Sequence, residues 1–123
     1  MSKYTNKKFW KSLKHAISGV SATFKSQRNF KYQLGVMLII CIVAFFLKYS
    51  ALEFCFCLFT IMLVMIVEMI NSCIEFALDA IYRNKYSILV KISKDISAGA
   101  VLLCSLNCVG INTIILFSKF FQN

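Results

Sequence analysis

The chain has no proline, only four glycines and few charged side chains. Charged residues make up 15% of its 123 residues, and only five of them are Asp or Glu. Hydrophobic residues make up 59%, whereas soluble domains are about 45–50% apolar and about 25% charged. This composition excludes a compact water-soluble domain and indicates a protein that lies in a lipid bilayer.

Three stretches lack charge almost completely. They are residues 32–47, residues 54–74, which are interrupted only by Glu68, and residues 96–118. Because a spanning helix needs about 20 mostly apolar residues, they predict transmembrane helices over about 30–48, 52–78 and 95–119. A polar segment precedes the first apolar stretch, which is unlike a cleavable signal peptide. The N-terminal region is therefore expected to be retained.

Residues 7–24 have the periodicity of an amphipathic helix. Apolar side chains recur at helical spacing, while the lysines fall on other faces. The apolar positions are Phe9, Leu13, Ala16, Ile17, Val20 and Phe24. Such a helix is expected to lie on the cytoplasmic leaflet. The predicted fold is therefore an all-α membrane protein of one domain, residues 1–123, with an N-terminal amphipathic surface helix (about 7–24) plus three transmembrane helices.

The positive charge is distributed unevenly along the chain. The net charge is +9, eight of the fourteen Lys and Arg precede residue 32, and four more lie in residues 80–94. By the positive-inside rule both basic segments face the cytoplasm. The prediction is a multi-pass protein with a cytoplasmic N-terminus and an external C-terminus, whose lysines meet anionic membrane lipids and not nucleic acid.

Four of the five acidic residues lie within residues 68–95. At 100° per residue, a set of polar side chains falls on one face of the second predicted span: Glu68, Asn71, Ser72, Glu75 and Asp79. Ionisable groups inside a span are costly and usually functional. The alternative is that these acids only pair with basic residues of neighbouring helices.

Grouped carboxylates at a membrane surface can hold Mg²⁺, which binds carboxylate oxygens together with substrate phosphates. Lys94 lies beside them and could contact phosphate oxygens, so the set suggests phosphoryl transfer. The sequence has no GxxxxGK[ST] or GxGxxG loop, so such a kinase would be unrelated to the soluble kinases. An ion or proton channel subunit would also use Glu68 and Glu75, but it would not need a phosphate site at Lys94 and Asp95. A membrane-anchored scaffold that uses the basic helix is a further alternative.

The run EMINSCIE at residues 68–75, followed by Asp79 and by KDISAGAV at residues 94–101, resembles the signature of the prokaryotic diacylglycerol kinase and undecaprenol kinase family. Ala16, Gly19 and the run RNFK at residues 28–31 extend the resemblance. It implies a homotrimer in the bacterial inner membrane that phosphorylates a lipid alcohol with ATP and Mg²⁺ at sites between subunits. The AGAV form at residues 98–101 favours undecaprenol as the substrate, with diacylglycerol as the alternative.

The same resemblance implies roles for individual residues. Glu68 would be the general base, Glu75 a metal ligand, and Lys94 the contact to the triphosphate. Gln27 is a candidate for the second metal ligand. The other nucleotide contacts would be Asp95, Glu75, Lys85, Ser87, His15 and Lys8. Supporting residues would be Asn71, Asp79, Ser72, Asn29 and Lys31, and lipid contacts would be Gly19, Ala98 and Trp10.

Two departures from the family pattern affect these expectations. Gln27 stands where the family commonly has a glutamate, and a neutral amide oxygen binds Mg²⁺ more weakly than a carboxylate does. Ser87 follows Tyr86 where the family often has a histidine, and the segment from Asp79 to Lys94 is one residue longer than expected. The first departure concerns metal affinity, and the second concerns the contacts to the adenine.

Overall fold

The computed structural model describes residues 3–83 and 85–122, with Tyr4 described by its backbone alone. These residues form four helices and no strand: α1 (Lys3–Ser26), α2 (Arg28–Phe46), α3 (Ala51–Tyr82) and α4 (Ile88–Phe121). The last three are long and apolar enough to cross a membrane. The predicted all-α membrane fold is confirmed. The fourth helix begins at Ile88, seven residues before the start of the predicted span, because the charged residues before the apolar stretch also fit a helical turn.

The chain breaks between α1 and α2 without a proline or a glycine. Gln27 is extended there, with φ −112° and ψ 111°. Two hydroxyls in the preceding turn bond back onto α1: Thr23 Oγ1 donates to the Gly19 carbonyl at 3.0 Å, and Ser26 Oγ donates to the Ala22 carbonyl at 2.7 Å. Such back-bonding often bends helices. The break leaves Gln27 at the junction of the two helices.

The apolar face of α1 is not covered by the rest of the chain. Thr23 is the one buried residue among the described side chains of this helix. Its exposed apolar side chains include Phe9, Trp10, Leu13, Ile17, Val20 and Phe24. An amphipathic helix with an uncovered apolar face belongs at the surface of a membrane.

The central helix of the chain is α3, which packs against both α2 and α4. In its most apolar 18-residue stretch 33% of residues are buried, compared with 11% in α2 and 6% in α4. The buried cluster at its centre contains Ile61, Val64 and Cys108, with Met37, Ile40 and Cys104 packed against it. This cluster fixes the rotation of α3, and therefore fixes which of its polar side chains face the other helices.

A cap stabilises the start of α3, and polar contacts connect α3 to α4 at two depths. Ser50 caps α3 through a reciprocal pair, in which Ser50 Oγ accepts from the Glu53 amide and Glu53 Oε2 accepts from the Ser50 amide. Lys119, near the end of α4, forms an ion pair with Glu53 at 3.0 Å. Deeper in the span, Asn112 Nδ2 donates to Thr60 Oγ1 at 3.1 Å. These contacts hold the two long helices in register.

Candidate active site

A cleft with a volume of about 400 Å³ lies beside α3, where the α1–α2 junction and α4 approach it. Its lining residues are Gln27, Asn29, Glu68, Asn71, Glu75, Ala98, Val101, Leu102 and Ser105. We call it the carboxylate cleft. Six of the residues singled out from the sequence meet here, although they come from three separate segments of the chain.

Glu68 is the most buried acidic side chain of this cleft, with 3% of the residue exposed. None of the three ion pairs in the described part of the chain involves it. Ser72 is also buried, and its hydroxyl donates to the Glu68 backbone carbonyl at 2.9 Å. An unpaired carboxyl group inside a span is costly and usually marks a functional site.

Asn71 links the cleft to α4. Its Nδ2 donates to Glu75 Oε1 at 3.4 Å, while its Oδ1 accepts from Ser97 Oγ. Both Asn71 and Ser97 are buried, and Glu75 is half-buried. Because Ser97 occupies the amide oxygen, the amide nitrogen is directed to the Glu75 carboxylate. Ser97 was not singled out from the sequence, although it lies within the KDISAGAV run.

A second cleft, with a volume of about 350 Å³, lies between the end of α3 and the start of α4. We call it the loop cleft. Its polar lining residues are Asp79, Tyr82, Lys85, Tyr86, Ser87, Lys91, Lys94 and Asp95. Four of the predicted nucleotide contacts therefore lie together. Asp79 is placed here and not among the residues of the carboxylate cleft.

Two ion pairs lie at the loop cleft, one between α3 and α4 and one within α4. Lys94 contacts Asp79 at 2.6 Å, and Lys91 contacts Asp95 at 2.8 Å. All four side chains are at least one-third exposed, and exposed pairs contribute only about 0–1 kcal/mol. With Lys85 the cleft holds three lysines against two aspartates, so a polyanion can displace these pairs at little cost.

The described residues contain no group of three or more His, Cys, Asp or Glu placed to hold a metal ion. Mg²⁺ does not need such a group, because it is usually bound by one or two carboxylates, water and substrate phosphates. Glu75 supplies one carboxylate, and Gln27, whose side chain carries an amide oxygen, lines the same cleft. The donor set therefore fits a magnesium ion that is shared with a phosphate substrate.

A family model described as prokaryotic diacylglycerol kinase matches residues 14–116. The chain belongs to the prokaryotic diacylglycerol kinase family. It is 36% identical over 98 residues to a diacylglycerol kinase of Synechocystis, a match that covers 80% of this chain but only 56% of that protein. It is 30% identical over 103 residues to an undecaprenol kinase of Bacillus subtilis, covering 83% of each chain. An Escherichia coli diacylglycerol kinase is 30% identical over 110 residues, covering 89% of each.

Membership of the prokaryotic diacylglycerol kinase family makes this chain a membrane lipid kinase that uses ATP as its phosphoryl donor. The geometry fits such an enzyme, because the carboxylate cleft with its buried Glu68 extends along α3 to Glu75, and the lysine-rich loop cleft begins one turn later at Asp79. Glu75 and Asp79 are separated by about 6 Å along α3. The two clefts are therefore neighbours along the helix axis.

Several predicted residues line neither cleft of this prokaryotic diacylglycerol kinase family member. Lys8, Trp10, His15 and Gly19 lie on the exposed surface of α1. Lys31 extends over the ring of Phe24, with its Nζ 5.5 Å from the ring centroid. Lys91, in contrast, lines the loop cleft but was missed. Its position four residues before Asp95 was the available signal, since that spacing favours an ion pair on a helix.

Proposed function

We propose that this lipid kinase transfers the γ-phosphoryl group of ATP to the hydroxyl of undecaprenol at the cytoplasmic face of the bacterial inner membrane. The observation that carries the proposal is the position of the buried Glu68 in a cleft adjacent to the lysines of the loop cleft. One site suits a lipid hydroxyl, and the other suits a triphosphate.

In this mechanism the Glu68 carboxylate accepts the proton of the lipid hydroxyl. The hydroxyl oxygen forms a bond to the γ-phosphorus, and the bond to the bridging oxygen of ADP breaks. Lys94 leaves Asp79 and contacts the phosphate oxygens. Glu75 and Gln27 would hold Mg²⁺, which when bound neutralises charge on the phosphates. Asn71 orients Glu75 through the hydrogen bond described above.

We further propose that the enzyme is a homotrimer. Lys8, Trp10, His15 and Gly19 have assigned roles at the nucleotide or the lipid, yet none lines a cleft of its own chain. The apolar residues of α2 and α4 are also largely exposed in the single chain. Neighbouring subunits would cover part of this surface and bring each α1 to another chain's site.

The preference for undecaprenol has two supports. The AGAV run resembles the undecaprenol-type members, and the Bacillus subtilis relative is named an undecaprenol kinase. Ala98 of that run lines the carboxylate cleft and is exposed, so its small side chain leaves room beside the base. Diacylglycerol is the alternative, because the Synechocystis and Escherichia coli relatives are diacylglycerol kinases.

The proposed orientation has the N-terminus in the cytoplasm. The two basic segments, residues 1–31 and 80–94, then lie on the same side of the membrane. In this orientation the loop cleft meets cytoplasmic ATP, and the ion pair between Glu53 and Lys119 lies at the outer face.

The test uses purified protein in lipid, ATP labelled at the γ-phosphate, and separate assays with undecaprenol and with diacylglycerol. We expect the label on undecaprenol. Glu68→Gln should lower turnover by about 10²- to 10⁴-fold and leave ATP binding unchanged. Glu53→Gln, which removes a carboxylate near the start of α3 that lines neither cleft, is the matched control and should keep its turnover. Label on diacylglycerol alone would exclude the proposed substrate, and normal turnover of Glu68→Gln would exclude the proposed base.

A further inference from the structure

Hydroxyl groups on the helices of this chain mostly bond back onto their own helix, which is a common arrangement for serine and threonine. Four of the described hydroxyl groups donate to the carbonyl oxygen four residues earlier, at 2.7–3.0 Å: those of Thr23, Ser26, Ser72 and Ser105. Ser97 is different, because its Oγ donates to the side chain of Asn71 on α3, 26 residues away along the chain. Both residues are buried. A hydroxyl that bonds a neighbouring helix instead of its own needs a physical reason.

The acceptor of this hydrogen bond supplies the reason. A carboxylate only accepts hydrogen bonds, so the Asn71 amide must turn its nitrogen toward Glu75, to which Nδ2 donates at 3.4 Å. The Asn71 oxygen then needs a donor of its own inside the contact between α3 and α4. Ser97 supplies that donor. Because a buried acceptor without a partner is unfavourable, the hydroxyl keeps the amide in the one orientation that allows it to bond Glu75.

Glu75 lies between two polar links that join α3 to α4, about 6 Å from each along the helix axis. Toward the centre of α3, Ser97 bonds Asn71 inside the contact. Toward the end of α3, the partly exposed Lys94 and Asp79 form an ion pair at 2.6 Å. In the proposed mechanism ATP takes Lys94 away from Asp79, which opens the exposed link. The buried link is then the one that remains beside Glu75.

We propose that Ser97 is a positioning residue for Glu75: through the Asn71 amide it holds the Glu75 carboxylate in place for Mg²⁺ while ATP occupies Lys94. This inference rests on the proposed roles of Glu75 and Lys94. Ser97 lines neither cleft, so its effect passes through the orientation of one amide group. Loss of a hydrogen-bond partner behind a metal ligand typically costs about 10- to 100-fold in metal affinity or activity.

The first test measures metal binding without turnover. Mn²⁺ is the probe, added to the protein in uncharged detergent micelles, and the free Mn²⁺ is read from its electron paramagnetic resonance signal. Ser97→Ala should weaken Mn²⁺ binding by about tenfold, the lower end of that range, because Ser97 acts on the ligand only through Asn71. Ser93→Ala makes the same change at an exposed position one turn earlier on α4 and should bind Mn²⁺ as the native protein does. Native affinity in Ser97→Ala would overturn the inference.

The second test is kinetic. In Ser97→Ala the free Mg²⁺ concentration at half-maximal rate should rise by about tenfold, while KM for the lipid alcohol should stay within about twofold. Ser97→Cys guards against a folding defect, because it nearly keeps the size of the side chain and exchanges the hydroxyl for a weaker donor. Its Mg²⁺ requirement should lie between those of the native protein and Ser97→Ala. Variants that unfold more easily but need no more Mg²⁺ would show that Ser97 has only a structural role.

Two further variants separate this inference from the proposed function. Asn71→Ala removes the amide, so adding Ser97→Ala to it should change the Mn²⁺ affinity by less than about twofold. The same loss with and without the amide would show that Ser97 does not act through Asn71. Glu75→Gln removes the charge of the proposed ligand, and native Mn²⁺ binding in this variant would refute the metal role of Glu75 itself. Weak binding in Glu75→Gln with native binding in Ser97→Ala would refute only the positioning role.

Discussion

Replacing Gln27 by glutamate tests the metal site directly. Gln27 and Glu75 line the same cleft, and both are half-buried. Gln27→Glu keeps the shape of the side chain and exchanges a neutral oxygen for a charged one. Because magnesium prefers charged oxygen ligands, the variant should need less Mg²⁺ than the native enzyme does.

The size of the effect follows from the position of the side chain. An added charge within about 4–6 Å of an ionised group shifts the protonation equilibrium of that group by roughly 10- to 1000-fold. We take the same range for the binding of Mg²⁺ beside an added carboxylate. Both residues are partly accessible to water, which screens the interaction and favours the lower limit. We therefore expect the free Mg²⁺ concentration at half-maximal rate to fall by about tenfold.

The assay measures initial rates while free Mg²⁺ is varied above the amount that is bound to ATP. Ser26→Glu adds the same charge one residue away, at a position that does not line the cleft, and serves as the matched control. If Gln27→Glu needs more Mg²⁺, the two carboxylates repel each other without sharing a metal ion. If the Mg²⁺ dependence of the rate changes in neither variant, residue 27 is not a metal ligand.

Three further outcomes are expected. Ser97→Ala removes the hydrogen bond to Asn71 and should lower the free energy of unfolding by about 1 kcal/mol, measured by reversible denaturation in mixed detergent micelles. Ser93→Ala, at an exposed position, is the control and should leave that free energy unchanged. Equal stability of the two variants would contradict the buried contact. Lys94→Gln should raise KM for ATP by about 10- to 100-fold, and the neighbouring Lys91→Gln should raise it less; the reverse order in steady-state kinetics would exchange their roles. A reporter fused to the C-terminus should be external and one inserted between α3 and α4 cytoplasmic, so protease accessibility that finds both on one side would contradict the three-span topology.

Most residues of the carboxylate cleft could be predicted from the sequence, because their spacing follows the helical period. Glu68, Asn71 and Ser72 were placed on one face of a span, and all three are buried in the structure. Asp79 shares that angular position but is exposed. At Asp79, α3 extends beyond the region in which other helices bury this face. Helical periodicity predicts the direction of a side chain, but it does not predict what covers that side chain.

Contacts between helices could not be predicted from the sequence in the same way. Asn71 and Ser97 lie on different spans, and nothing in their spacing along the sequence identifies the hydrogen bond between them. A break between the first two helices was predicted, because the surface helix was expected to end near residue 24 and the first span to begin near residue 30. Its geometry was not predicted, because it is made by the extended backbone of Gln27 and by hydroxyl groups that bond back onto α1. The cap at Ser50 and Glu53 was missed, although a serine followed three residues later by glutamate is a known signal for a helix start.

The lengths of the helices connect the reaction to the thickness of the bilayer. In the proposed orientation α3 enters the membrane at Ala51, so Glu68 lies about 26 Å along the helix and Glu75 about 36 Å. A hydrocarbon core of about 30 Å then ends between the two carboxyl groups. Thinning the core by about 5 Å would bring Glu68 into water, and thickening it by a similar amount would draw Glu75 toward the acyl chains. In this orientation, the acyl-chain length of the surrounding lipids is therefore expected to change the rate, because it sets which of the two carboxyl groups is in contact with water.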